Sequence, residues 1–216
     1  MRRFLAAATL VLIAACTAGG VVMEPMPPAP GWEESLRADR AARDRQMRTD
    51  PDTPLLAEDV KSFRGLAYWP PDPRMRFGGS IEINDRIERF TIVTTSGKPR
   101  PCEKYGRVRF VLDGRTLTLQ VYRLLDIEAR PGVEDLFLPF LDATSGKETY
   151  AAGRYVDLIG PRGGPYELDF NRAYNPLCAY GAANRFACPV TPPENRLSVR
   201  IEAGEKKYER PRAEGL

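Results

Sequence analysis

The amino-acid sequence predicts a mainly β domain, an antiparallel β-barrel or sandwich of about eight strands with one N-terminal surface helix. Three observations carry this. From Phe63 onward apolar residues recur with a period of two, the spacing of a half-buried strand. Turn signals interrupt the pattern at short intervals, in a chain with 20 prolines and 18 glycines. Only residues 32–48 combine helix-forming composition with freedom from both. A length of 216 residues supports one domain with a real core and does not by itself call for two.

In chain order, Met1-Arg2-Arg3 is a short positive segment, and Phe4 to Ala14 is an apolar run too short to cross a bilayer core of roughly 30 Å as a helix. That shape is a secretory signal. The run ends Ile13-Ala14-Ala15-Cys16, which resembles the lipobox of bacterial lipoproteins, in which the cysteine is diacylated, freed by cleavage and usually N-acylated. Two or three acyl chains are enough for stable anchoring. The organisation expected is a signal over 1–15, a lipidated tether over 16–30 and a single domain over 31–210. Thr17 after Cys16, where inner-membrane retention commonly uses Asp, favours the periplasmic face of the outer membrane by analogy with Gram-negative lipoproteins. The tether, with four prolines and no periodicity, reads as extended.

Trp32 to Arg48 reads as a surface helix docked by Trp32, Leu36 and Met47, with Glu33–Arg37, Asp39–Arg43 and Asp44–Arg48 as i,i+4 pairs. Its interleaved acids argue for a solvated face. Asp50-Pro51 to Pro54 stops it. Strands are expected over Arg76–Ile83, Ile87–Thr95, Gly106–Leu112 and Arg115–Leu124, the last two joined by the hairpin signal Asp113-Gly114. Asp135–Leu141 carries Pro139 and so reads as an edge or bulge. Arg154–Ile159, Tyr166–Asn171 and Leu197–Ala203 complete the set. Asp142 to Lys147 lacks the full glycine and hydroxyl spacing of a phosphate loop, and reads as a hairpin turn with Gly146 at positive φ.

Composition excludes several functions. There is no histidine, which removes every Ser-His or Cys-His nucleophile pair and His-ligated metals. Loss of Arg2 and Arg3 with the signal leaves basic and acidic residues nearly balanced, so nothing favours nucleic acid. No metal or other cofactor is expected, since no EF-hand-like spacing exists and two cysteines alone are poor zinc ligands. With Cys16 used for lipid, three cysteines remain. Cys178 and Cys188 flank a short polar segment that a bridge would close. Pairing of Cys102 with either stays open, although its place in a Pro-rich turn reads as a free thiol.

Three stretches resemble the bacterial family known as domain of unknown function 1684: residues 137–150 (FLPFLDATSGKETY) with Gly153-Arg154-Tyr155; residues 169–180 (DFNRAYNPLCAY); and Cys188-Pro189 with residues 192–197 (PPENRL) and residues 203–206 (AGEK). Phe63-Arg64-Gly65-Leu66 followed by Tyr68 also fits, so the likeness spans about residues 35–207. The resemblance implies a class and no activity. Cys102 falls outside the family's pattern, which supports leaving it out of the bridge.

The polar density of 169–195 is the main clue to a site. Asp169, Asn171, Tyr174, Asn175, Tyr180, Glu194 and Asn195 could line a pocket at one sheet end, where carboxylate, amide and phenol groups suit a sugar-like ligand. The plainer alternative is a solvated strand face, an Asn-Pro turn and a disulfide loop, with the asparagines bonding turn backbone. A carboxylate-dependent hydrolase acting on envelope glycans would need two acids across a cleft, and Asp169 or Asp142 with Glu194 could supply them. The leading expectation is a non-enzymatic envelope domain binding a small polar ligand or an envelope protein, its membrane contact made through lipid. The lipobox makes a direct prediction: Cys16→Ala moves the protein from membrane to soluble fractions and blocks diacylglyceryl transfer. Unchanged membrane retention with unchanged processing contradicts it.

Overall fold

The computed structural model describes residues 20–128 and 130–210, so the expected signal over 1–15 and Cys16 lie outside the described residues. In chain order these residues form β1 (Glu24–Pro25), α1 (Trp32–Thr49), the short α2 (Ala57–Val60), β2 (Arg76–Gly79), β3 (Glu82–Ile92), β4 (Arg100–Leu112), β5 (Arg115–Leu124), β6 (Val133–Phe140), β7 (Arg154–Pro161) and β8 (Tyr166–Asp169). Two antiparallel sheets result, ordered β1-β2-β8 and β3-β4-β5-β6-β7. They do not close on each other, so of the two architectures expected the sandwich is the one adopted.

Between the sheets the rings of Phe77, Phe110, Phe140 and Phe170 stack at 4.8–5.4 Å in sequence, Phe110 and Phe140 each touching Phe170. All four are at most 1% exposed. Each buried ring contributes roughly 1.5–3 kcal/mol of transfer free energy. At the β4–β5 hairpin, Asp113 and Gly114 take φ of 49° and 73°, the pair of positive values that a two-residue turn matching strand twist requires. Gly146, at φ 83°, likewise turns the 142–149 loop.

Several expected boundaries shift, each for a visible reason. The strand expected over Arg76–Ile83 divides between the two sheets after Gly79, where the backbone passes within contact of Met23. β4 begins six residues earlier than expected and takes Cys102 with it, so that cysteine is a buried strand residue, not a turn thiol. β8 stops at Asp169 and passes into a 3-10 turn over Phe170–Arg172. Residues 23–25, expected to be extended and undocked, belong to the domain: Met23 is buried, its amide donates to Arg109 O at 2.7 Å, and β1 pairs with β2.

Helix α1 docks through Trp32, Leu36 and Met47 as expected, but its charges do not pair as the spacing suggests. Glu33–Arg37 forms. Asp39 instead meets Arg172, Arg43 meets Glu205 at 3.4 Å, and Asp44 accepts the Leu66 amide at 2.9 Å. Tertiary partners win because a part-buried carboxylate or guanidinium gains more from them than from a solvated i,i+4 neighbour.

Pro139 does not mark an edge. β6 is an interior strand, fully paired with β7 but meeting β5 only at Tyr122–Phe137. The side chain of Asn195 fills the gap. Its Nδ2 donates to Gln120 O (2.8 Å) and Pro139 O (2.7 Å), and its Oδ1 accepts the Gln120 amide (2.8 Å). One amide thus serves as a sheet rung beside a residue that has no N–H to give. The strand expected at Leu197–Ala203 is extended and only partly laddered: it runs parallel to residues 141–143, with the Leu197 amide donating to Leu141 O at 2.7 Å and Val199 O accepting the Ala143 amide at 2.9 Å. Leu197, Ile201 and Ala203 are buried at the alternation that suggested a strand. Beyond Val199 side chains hold much of the backbone: Arg154 donates to the carbonyls of Ile201, Ala203 and Glu205, and Asp142 accepts the Ile201 amide at 2.7 Å.

Removing such a rung leaves three buried groups unpaired. Asn195→Ala is predicted to lower unfolding free energy by about 2–4 kcal/mol in chemical denaturation. Asn195→Asp is predicted to be worse, since it sets a carboxylate against two carbonyls. Losses below about 1 kcal/mol for both would show that the rung is not needed.

Candidate functional site

The structure does not gather the seven singled-out residues around one void. Asp169 and Asn171 belong to the joint between α1 and the small sheet. Asp169 accepts the Trp32 indole N–H at 2.8 Å and lies 3.4 Å from the buried Arg76 guanidinium, which stacks over the same indole. Asn171 exchanges hydrogen bonds at 2.8 Å with both backbone groups of Asp72, mimicking a strand pair.

Asn175 and Tyr180 enclose Glu205. The Asn175 amide and Nδ2 donate to its carboxylate at 3.2 and 2.8 Å, and Tyr180 Oη also donates to it. Arg43 completes the cluster, donating to Tyr180 Oη at 3.1 Å. Burial lowers the affinity of Arg43 for its proton, but Tyr180 and Glu205 outweigh this and hold it above its ordinary value. Burial is the largest influence on Glu205 and raises its carboxyl, with Arg43, Tyr180 and Asn175 opposing.

Glu194 and Asn195 lie elsewhere, against β5. Asn195 is the sheet rung, and the half-exposed Glu194 accepts from Tyr122 Oη at 2.9 Å near Lys104. Asp142, the other acid considered for hydrolysis, is consumed by Thr144, Ser145, the Ile201 amide and Arg154. Neither acid pair proposed for hydrolysis therefore faces a common cleft.

Two of the seven reach a substantial concavity: Glu194 edges a polar, charged one beside Lys104 and Gln120, and Tyr174 lines a mainly apolar one. The apolar concavity measures about 520 Å³ and lies on the side of the large sheet away from the main core. Its walls come from Arg100, Leu124 at the end of β5 and Ile127 after it, Asp135 and Phe137 of β6, Tyr155 and Asp157 of β7, Tyr174, Pro176 and Leu177, and Phe186 to Pro189 of the disulfide loop. Register explains the convergence. Phe137 pairs with Asp157 and Pro139 with Tyr155, so these side chains alternate onto one face together with Asp135. The opposite face of β7 sends Arg154, Val156 and Leu158 into the core.

The rings of Phe137, Tyr155 and Tyr174 form successive edge-to-face contacts, at 4.7 Å and 75° and then 5.8 Å and 88°. Tyr174 Oη lies 2.9 and 3.0 Å from the two Asp157 oxygens, and Tyr155 Oη donates to Pro189 O. Water reaches Asp157, but the concave wall strips hydration from it. That desolvation, with the neighbouring Asp135, raises its carboxyl above the ordinary range against the hydrogen bond from Tyr174. Asp135 pairs with Arg130 at 2.8 Å, and Arg100 grips Asp126 with two bonds of 2.7 and 2.8 Å.

The disulfide joins Cys178 to Cys188, the pairing expected. It pins the far wall of the cavity, helped by Thr95, whose amide donates to Cys188 O at 2.9 Å. On the chain-entropy account this short loop contributes about 2–3 kcal/mol. Cys102 is free and buried among Ile92, Tyr122 and Phe137, and burial pushes its thiol up to about 12. Among the described residues, no group of three or more Cys, Asp or Glu side chains is placed to hold a metal ion.

Sequence reasoning missed Phe137, Tyr155 and Asp157. A signal existed: in Arg154–Ile159 the alternation puts Tyr155, Asp157 and Ile159 on one face, an acid between two apolar residues on a strand whose other face is core.

A family model described as "Protein of unknown function (DUF1684)" matches residues 61–206. The chain belongs to this family. A solution NMR structure of an uncharacterized protein from Haloarcula marismortui is 33% identical, covers 81% of this chain and 94% of its own, and superposes with a TM-score of 0.61. No curated protein matches the chain. The family match spans the whole cavity wall, from Arg100 to Pro189, and the Glu205 cluster apart from Arg43.

The Glu205 cluster makes a pH prediction. A carboxyl raised on folding contributes stability that is full below its unfolded value near 4.5 and is lost as pH rises through the folded value. Glu205→Gln is predicted to flatten that decline in unfolding free energy between about pH 4 and about pH 7. Parallel curves for parent and variant would contradict it.

Proposed function

We propose that this family member is a non-enzymatic binding domain, held at the periplasmic face of an outer membrane by lipid on Cys16, that takes a small amphipathic ligand in the Phe137–Tyr155–Tyr174 cavity. The observation that carries the reading is the cavity itself. Its volume of about 520 Å³ lies within the usual range for small-ligand sites. Its walls are mainly apolar and aromatic, with few polar groups at defined points, which is the usual composition of such sites. The sugar-like ligand expected from the polar residues of 169–195 gives way to an amphipathic one, because most of those residues bond the protein's own backbone.

The walls are pre-formed. β6 and β7 are fully paired, and the disulfide with Thr95 fixes the opposite side, so little ordering would accompany binding. Hydrolysis finds less support. Asp135 and Asp157 share the void but project from one sheet face, whereas glycosidic acids flank the bond they cleave. Docking of Met23 leaves only residues 17–22 between the lipid-bearing cysteine and the domain. Fully extended, that link reaches roughly 20–25 Å, so the domain stays close to the membrane surface.

Ligand-observed NMR with a small-molecule extract of the host envelope tests the reading. Saturation transfer to one or a few components is expected for the parent chain. It is expected to vanish in Leu177→Trp, which fills the cavity from a half-exposed position and leaves the melting temperature unchanged. Transfer that persists in Leu177→Trp, or none to the parent, contradicts the proposal.

A further inference from the structure

Resting on that cavity as a binding site, we infer that its ligand is an organic cation, an ammonium group on an apolar or aromatic body, seated with its charge between Asp157 and the aromatic rings. The first argument concerns donors and acceptors. Tyr174 Oη is committed to Asp157, Tyr155 Oη to Pro189 O, and the Arg100 guanidinium to Asp126. Asp157 is the lining carboxylate left without a cationic partner, and a carboxylate only accepts. A ligand that satisfies it must donate.

The second argument is charge. Among the described residues the Arg100 and Asp135 charges are each paired locally, while Asp157 has a phenol partner and no ion pair. Arg43 lies behind the Tyr174 ring, 5.1 Å from its centre, and is itself held by Glu205. The cavity therefore presents one uncompensated negative charge. Covering it with a neutral apolar ligand removes water from a carboxylate without replacing it, which is costly. An ammonium supplies both the donor and the charge, and an anion is repelled.

The third argument is the ring geometry. Phe137 is the register partner of Asp157, and Tyr155 and Tyr174 continue the edge-to-face series, so the carboxylate lies beside π-surfaces able to stabilise a cation.

The test compares matched probes on the full-length chain by calorimetry at neutral pH: 2-phenylethylamine, which is protonated, 2-phenylethanol and phenylacetate. The amine is expected to bind at least about tenfold more tightly than the alcohol, a difference of about 1.4 kcal/mol, with phenylacetate weakest. Asp157→Asn is expected to bring amine and alcohol within about twofold of each other. Comparison of the probes on the unmodified chain stands whether or not that variant folds. Equal binding of amine and alcohol, or an amine preference that survives in a folded Asp157→Asn, overturns the cation inference and leaves the cavity as a binding site. Failure of all three probes at millimolar concentration, together with no saturation transfer from the envelope extract, overturns both.

Discussion

The C-terminal third of this protein is held by short, scattered backbone pairings that buried side chains complete, and Arg154 is the centre of that arrangement. A guanidinium with no exposed surface donates to the carbonyls of Ile201, Ala203 and Glu205 and is balanced by the equally buried Asp142. A buried charge of this kind is tolerable only when it is well satisfied, and here both Nη atoms are bonded and only Nε lacks a partner. Arg154 thereby fixes residues 201–205, including Glu205, which organises Asn175 and Tyr180, while backbone bonds between 195–199 and 141–143 deliver Asn195 to the β5–β6 gap.

The consequence for function is a division of labour along the strands. One face of β7 sends Arg154 into this internal frame, and the other sends Tyr155 and Asp157 to the cavity. Rigidity on the core side is thus transmitted directly to the wall of the site, since both faces belong to the same backbone. The disulfide and Thr95 do the same for the opposite wall. A pre-formed concavity with one unpaired acid and an ordered aromatic corner is the outcome, and it is the feature from which the binding reading grows.

Much of the fold was legible in the sequence, because period-two burial and turn chemistry are local. The β4–β5 hairpin, helix α1 with its three buried anchors, the Cys178–Cys188 bridge and the turn at Gly146 all follow from such signals. What was not legible depends on partners distant in sequence. Pro139 looks like an edge until Asn195 arrives beside it. Leu197–Ala203 alternates like a strand, yet its backbone partners are divided between the 141–143 backbone and the side chains of Arg154 and Asp142. The dense polar run 169–195 was the most visible candidate site for the same reason that it is a poor one: buried asparagines and acids accumulate where irregular backbone needs them. The cavity was hidden because its acid is a single residue on a strand whose second face is core.

Native-state hydrogen exchange tests the account most directly. The amides of Gln120, Ile201, Asn175 and Asp72 donate to side-chain acceptors of Asn195, Asp142, Glu205 and Asn171. If side-chain rungs hold this part of the molecule, these amides exchange only through global unfolding, with protection equal to that of the β4–β5 ladder. Exchange at loop rates while β4–β5 stays protected would show that the segment opens on its own and that the cavity wall is not held from within.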